Sequence, residues 1–169
     1  DEAVGDAVEL AELLGLPVYQ SRGAEVAFPT DHPQYLGLLS MRVAAHRETL
    51  KSVDVVLSVG MDVFEDVFYW GDMFADPTIK LVHIDSAVNR VGRTEPTSVG
   101  IVSHCGLALK ELINSLKPQI KDNYHDIVRE RLDTVKNQST EVRRSLEEAA
   151  AERWDSMPMI PERMMAEVA

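Results

Sequence analysis

Two short runs limit what this chain can fold into. Val53-Asp54-Val55-Val56-Leu57-Ser58-Val59-Gly60 and Lys80-Leu81-Val82-His83-Ile84-Asp85 are dense in β-branched and apolar residues. One stops at a glycine and the other at an aspartate. A run of this kind suits a parallel strand that is covered on both faces, because neither face can be left to water. Val99 to Ser103 is a third such run, and Leu16 to Tyr19 is a short β-rich one. Between them lie segments of helical period. Asp1 or Asp6 can cap a helix to about Leu14, with Val4, Ala7, Val8, Ala11 and Leu14 on one face and Gly15 just past its end. Further helices are expected from near Ser40 to Leu50 or Ser52 and from about Gly106 to Leu116. Strands separated by helices predict an α/β fold with a doubly wound, mainly parallel sheet. The Pro- and Gly-rich stretch Ser21 to Gly37 reads as loop.

Beyond residue 117 the strand pattern ceases. Residues 123–153 contain no Gly or Pro and read as one helix. Val128, Leu132, Val135, Ser139, Val142, Leu146 and Ala149 follow a 4-3 spacing. Such a stripe fits a coiled coil, or a surface helix docked on the preceding domain, and the Ser at a core position favours docking. Pro158 and Pro161 interrupt the pattern, and Pro161 stands where the first residue of a new helix would be. The expected organisation is a domain at 1–117, a helical linker at 118–156 and the opening of another domain at 157–169, so that the 169 residues read as a piece of a larger protein.

Charge narrows the function classes. The formal net charge is −11, with −8 in residues 1–117 and −3 in the remainder. This acidity argues against binding to phosphate backbones or anionic lipid, so neither nucleic acid nor membrane is an expected partner. No apolar run reaches the roughly 20 residues that cross a bilayer, and the acidic start (Asp1, Glu2, Asp6) does not suit a signal peptide. The lone Cys105 has no partner for a disulfide or a zinc site. A cytoplasmic setting follows as the expectation.

Several residues could carry chemistry, each beside a plainer reading. In Phe28-Pro29-Thr30-Asp31-His32-Pro33-Gln34-Tyr35-Leu36-Gly37 two prolines stiffen the loop. His32 is there either to face a cleft or to satisfy loop backbone. Gly60 ends the strongest strand, where open α/β sheets bind ligands, though turn geometry alone would also call for it. Asp85 can hold a ribose or cap the turn through Ser86 and Ala87. Phe64, Phe68, Tyr69, Trp70 and Phe74 lie among Asp62, Glu65, Asp66, Asp72 and Asp76. They suit a channel wall or interface, or else an amphipathic helix on its own sheet. His83, inside a strand, reads as a satisfied core or edge residue. No GxGxxG, P-loop or GxSxG is present, and no complete active site is evident.

Taken in order, these stretches resemble the central domain of thiamine-diphosphate-dependent enzymes of the benzoylformate decarboxylase and acetolactate synthase group. The resemblance rests on AVELAELLGLPV (7–18), FPTDHPQYLG (28–37), LKSVDVVLSVG (50–60) with Met61-Asp62-Val63-Phe64, and KLVHIDSA (80–87), and it covers 1–117. Met159-Ile160-Pro161-Glu162-Arg163-Met164 resembles the opening of the family's third domain. The resemblance implies a Rossmann-like sheet of the DHS-like NAD/FAD-binding type that supports an enzyme acting on 2-keto acids. It implies thiamine diphosphate and magnesium held by the other domains, and subunits paired as a dimer or tetramer. It also implies that an opening strand precedes Asp1; without it the edge beside Val53–Val59 is expected to be exposed and closed by another chain or segment.

Flavin-binding members resembling acetolactate synthase carry an Arg two residues after the Gly, where this chain has Asp62. They have a Gly-containing helix start where this chain has Met41-Arg42-Val43. Both departures argue against FAD. Arg42 near a helix start leaves an ADP-like ligand open, so Gly60, Asp85 and Arg42 outline a candidate nucleotide cleft. The competing expectation is therefore an FAD- or ADP-binding module. A third is a purely structural domain that docks a partner through its acidic aromatic segment.

Overall fold

The parallel pairing of β3 (Val55–Val59) with β4 (Lys80–Asp85) organises the fold. In this computed structural model, which describes residues 2–21, 28–63, 74, 76, 78–121 and 123–168, the two runs pair without a shift from Val55↔Lys80 to Val59↔Ile84. β5 (Val99–Val102) adds to the other side of β4, also parallel, giving the order β3-β4-β5. A separate parallel pair joins β1 (Val18–Gln20) and β2 (Tyr35–Leu38). Helices α1 (Glu2–Leu14), α2 (Ala44–Lys51) and α3 (Cys105–Leu116) connect or flank the strands, and α4 (Tyr124–Glu152) and α5 (Pro161–Val168) follow. This is the expected α/β architecture of parallel strands with flanking helices.

Alternation along the strands fills both faces of the larger sheet. Leu57 and Val59 turn to a cluster built on Leu10 of α1 and on Leu109 and Ile113 of α3. Val56 turns the other way, to Val63, Phe74, Ile79 and Leu81. Leu81 and Ile84, neighbours of opposite facing in the central strand, are both fully excluded from solvent. Phe74, a described member of the aromatic stretch, is thus a core residue. α3 packs against α1 at Gly106, where a Cβ would touch Ala3 at 3.4 Å.

Three readings of the sequence need correction or completion. The loop expected from Ser21 to Gly37 ends earlier, because Tyr35–Leu38 forms β2. Their Pro- and Gly-rich surroundings hide a strand whose partner, β1, lies 15 or more residues away in sequence. Gln34 anchors it: its buried side-chain amide donates to the carbonyls of Ala11 (2.8 Å) and Leu16 (2.7 Å). α2 begins at Ala44 rather than near Ser40, because residues 41–43 form a turn with Val43 extended at the N-cap. The long helix docks, as its Ser suggested. Val135, Ser139 and Ala150 are buried, and Ser139 Oγ donates to the Tyr35 carbonyl at 3.3 Å. Gly15 (φ +67°) ends α1 under this helix, where a Cβ would come within 3.0 Å of the Val128 carbonyl oxygen. Part of the stripe stays outside: Val142 and Leu146 are exposed.

β3 is one of the two outer strands of its sheet among the described residues, and Val55 on it is 52% exposed.

Two substitutions test this packing. Leu81→Ala opens a cavity in the central strand and is expected to cost about 2–5 kcal/mol in urea unfolding. Gln34→Leu removes both donations that tie β2 to the end of α1; a loss of about 1–3 kcal/mol is expected in the same measurement.

Candidate functional site

Parallel strands that start together also end together, so their carboxyl ends form a common rim where α/β proteins bind ligands. Here the rim carries Gly60 after β3, Asp85 at the end of β4 and Cys105 at the start of α3. Gly60 adopts φ +66°, donates its N–H to the Ile84 carbonyl at 2.8 Å, and leaves room that a Cβ would narrow to 3.3 Å from Cys105 Sγ. The sequence-predicted pair Gly60 and Asp85 is therefore brought together by the β3–β4 register.

Asp85 is 1% exposed. One carboxylate oxygen, Oδ1, accepts the Ala87 N–H at 2.7 Å, which is the turn-capping role. The other, Oδ2, accepts no hydrogen bond and lies 3.8 Å from Arg90 Nη1. Arg90 Nε is also 3.8 Å from Asp62 Oδ2, which in turn meets Arg93 Nη2 at 2.9 Å. Asp62 Oδ1 is buried without a hydrogen-bond partner. The rim thus holds two carboxylates and two guanidiniums that face one another. Arg90 and Arg93 were not singled out from the sequence. Their signal was their position: Asn89-Arg90-Val91-Gly92-Arg93 closely follows the Asp that ends a strand. Burial, and then the negative charge of Asp85, push the Cys105 thiol above its usual range.

His83 is 1% exposed and satisfied on both ring nitrogens, as expected of a core histidine. Nδ1 accepts from the Gly92 N–H at 3.5 Å, so Nε2 carries the proton and donates to the Met61 carbonyl at 2.9 Å. It braces the segment that presents Asp62.

Arg42 lies apart from this rim in sequence and sheet, exposed between β2 and α2, with its backbone N–H donating to Ser40 Oγ at 3.4 Å. With α2 starting at Ala44, Arg42 precedes the helix by two residues. His32 both satisfies loop backbone and borders a cavity. Its Nδ1 accepts the Gln34 N–H at 3.2 Å, so Nε2 bears the proton and faces Glu12 Oε1 at 3.4 Å. It also lines a cavity of about 340 Å³ with Glu12, Leu132, Asp133 and Lys136, between α1, the His32 loop and α4. Phe64, Phe68 and Trp70, the channel or interface candidates, lie outside the described residues.

The Asp62 carboxylate stands beside Arg90 and Arg93, so a second anion at this rim would meet its negative charge at close range. Among the described residues no group of three or more His, Cys, Asp or Glu could hold a metal ion, and no helix is long and apolar enough to cross a membrane.

Comparison with known proteins agrees with this architecture. An acetolactate synthase of Mycobacterium bovis is 33% identical over 117 residues, covering 69% of this chain and 19% of that protein. A sulfoacetaldehyde acetyltransferase of Rhodobacter capsulatus is 29% identical over 124 residues, covering 72% and 21%. The X-ray structure of a protein from Mycobacterium smegmatis, described as a thiamin diphosphate-dependent enzyme, superimposes with a TM-score of 0.58 at 31% identity, covering 66% of this chain and 22% of that one. The chain spans about a fifth of the length of the relatives it matches. The family model of the thiamine pyrophosphate enzyme central domain matches residues 1–112, and the chain belongs to that family.

Proposed function

We propose that this central domain is a flavin-free, non-catalytic support in an enzyme that decarboxylates or ligates 2-keto acids. The observation that carries the reading is the self-paired rim: Asp62, Asp85, Arg90 and Arg93 face one another at the carboxyl ends of the strands, where open α/β sheets bind ligands. Thiamine diphosphate, when bound, supplies the electron sink for the carbanion left by decarboxylation. In this reading it and its magnesium ion sit in other domains. This chain's residues hold the scaffold: Leu81 and Ile84 fix the central strand, and Gln34 and Ser139 tie β2 to α1 and α4.

The outer side of β3, with Val55 exposed, and the exposed Val142 and Leu146 of α4 are surfaces for other parts of the enzyme or a second subunit. The setting is cytoplasmic, and the partners are other domains and like subunits rather than nucleic acid or membrane. The family match favours this reading over a free-standing nucleotide module.

The test uses the purified chain. Its absorption spectrum is expected to lack a flavin band before and after denaturation, and calorimetric titration with thiamine diphosphate and magnesium is expected to show no saturable heat. A flavin band or saturable thiamine diphosphate binding would overturn the reading. Cys105 reports on the same rim. Because its thiol is held above the usual range, alkylation by iodoacetamide should set in at higher pH than for a free thiol. Asp85→Asn should move that profile down, short of the ordinary value, because burial remains.

A further inference from the structure

We propose that Asp62 is an internal anion that occupies Arg90 and Arg93 and thereby shuts the carboxyl-end rim to phosphorylated nucleotides. This rests on the flavin-free reading and names the residue responsible for it.

The rim otherwise has the parts of an anion-binding site. Gly60, in a left-handed conformation without a Cβ, permits close approach beside the ends of β3 and β4. The side chains of Arg90 and Arg93 are 47% and 45% exposed. Arginine forks are the side chains that best match phosphate geometry. Asp62 already answers them from within. Its Oδ2 stands 2.9 Å from Arg93 Nη2 and 3.8 Å from Arg90 Nε. The Asp62 side chain is only 14% exposed, so its charge is less screened than that of a surface ion pair. A diphosphate would have to displace a carboxylate that the fold holds in place, and would then lie against it. The Met61 carbonyl, pinned by His83, keeps that carboxylate directed at the arginines.

Asp62→Asn removes the charge and keeps the shape. The probe is ADP, titrated calorimetrically into the full chain, with folding monitored by far-ultraviolet circular dichroism. The wild-type chain is expected to show no saturable binding at about 1 mM ADP. Asp62→Asn is expected to bind at least about tenfold more tightly. Adding Arg93→Gln to that variant is expected to abolish the gain. Should Asp62→Asn not fold, Asp62→Ala is measured in the same way. Saturable ADP binding to the wild-type chain would overturn both the proposal and the nucleotide-free reading of the rim. A folded Asp62 variant with no gain would overturn the proposal alone.

Discussion

The unshifted parallel pairing of β3 with β4 is the constraint on which the rest depends. Five consecutive partners, from Val55↔Lys80 to Val59↔Ile84, leave no freedom to slide. A slip of one residue would turn Leu57 and Val59 away from the α1–α3 cluster and Leu81 away from Val63, Phe74 and Ile79. Because both faces are buried, that slip would cost packing on two sides at once. The same register carries Gly60 and Asp85 to one rim and brings β5 alongside β4.

The rim follows from the sheet, but its chemistry follows from a loop. Asp62 comes from the segment after β3, and Arg90 and Arg93 from the segment after β4. His83 joins the two through Met61 and Gly92. A buried histidine of this kind acts through the backbone groups that it fixes. The outcome is a rim whose two carboxylates and two guanidiniums balance, in a chain of net charge −11.

Much of the fold was legible before the structure. Lys80–Asp85 is a strand with the expected bounds, and α1, α3 and α4 agree with their expected spans to within a residue or two. These elements announce themselves locally, by β-branched runs, by helical period and by terminal Gly. β2 does not, because the short apolar run at Tyr35–Leu38 is interrupted by Gly37, follows a Pro-rich loop, and becomes a strand only by pairing with β1. Of the candidate site, Gly60 and Asp85 were visible at strand ends. Arg90 and Arg93 were not, because a pair of arginines in a turn has no pattern until a carboxylate from elsewhere meets it.

The sequence by itself determined the class of fold, the family resemblance and the net negative charge. Those depend on the order and spacing of residues and on summed charge, which need no coordinates. Only the tertiary structure decided which carboxylates face which guanidiniums, that His32 braces its loop toward Glu12, and that the long helix lies on β2. These are contacts between residues distant in sequence, and their energies arise only once the backbone has brought them within a few ångströms and shielded them from water.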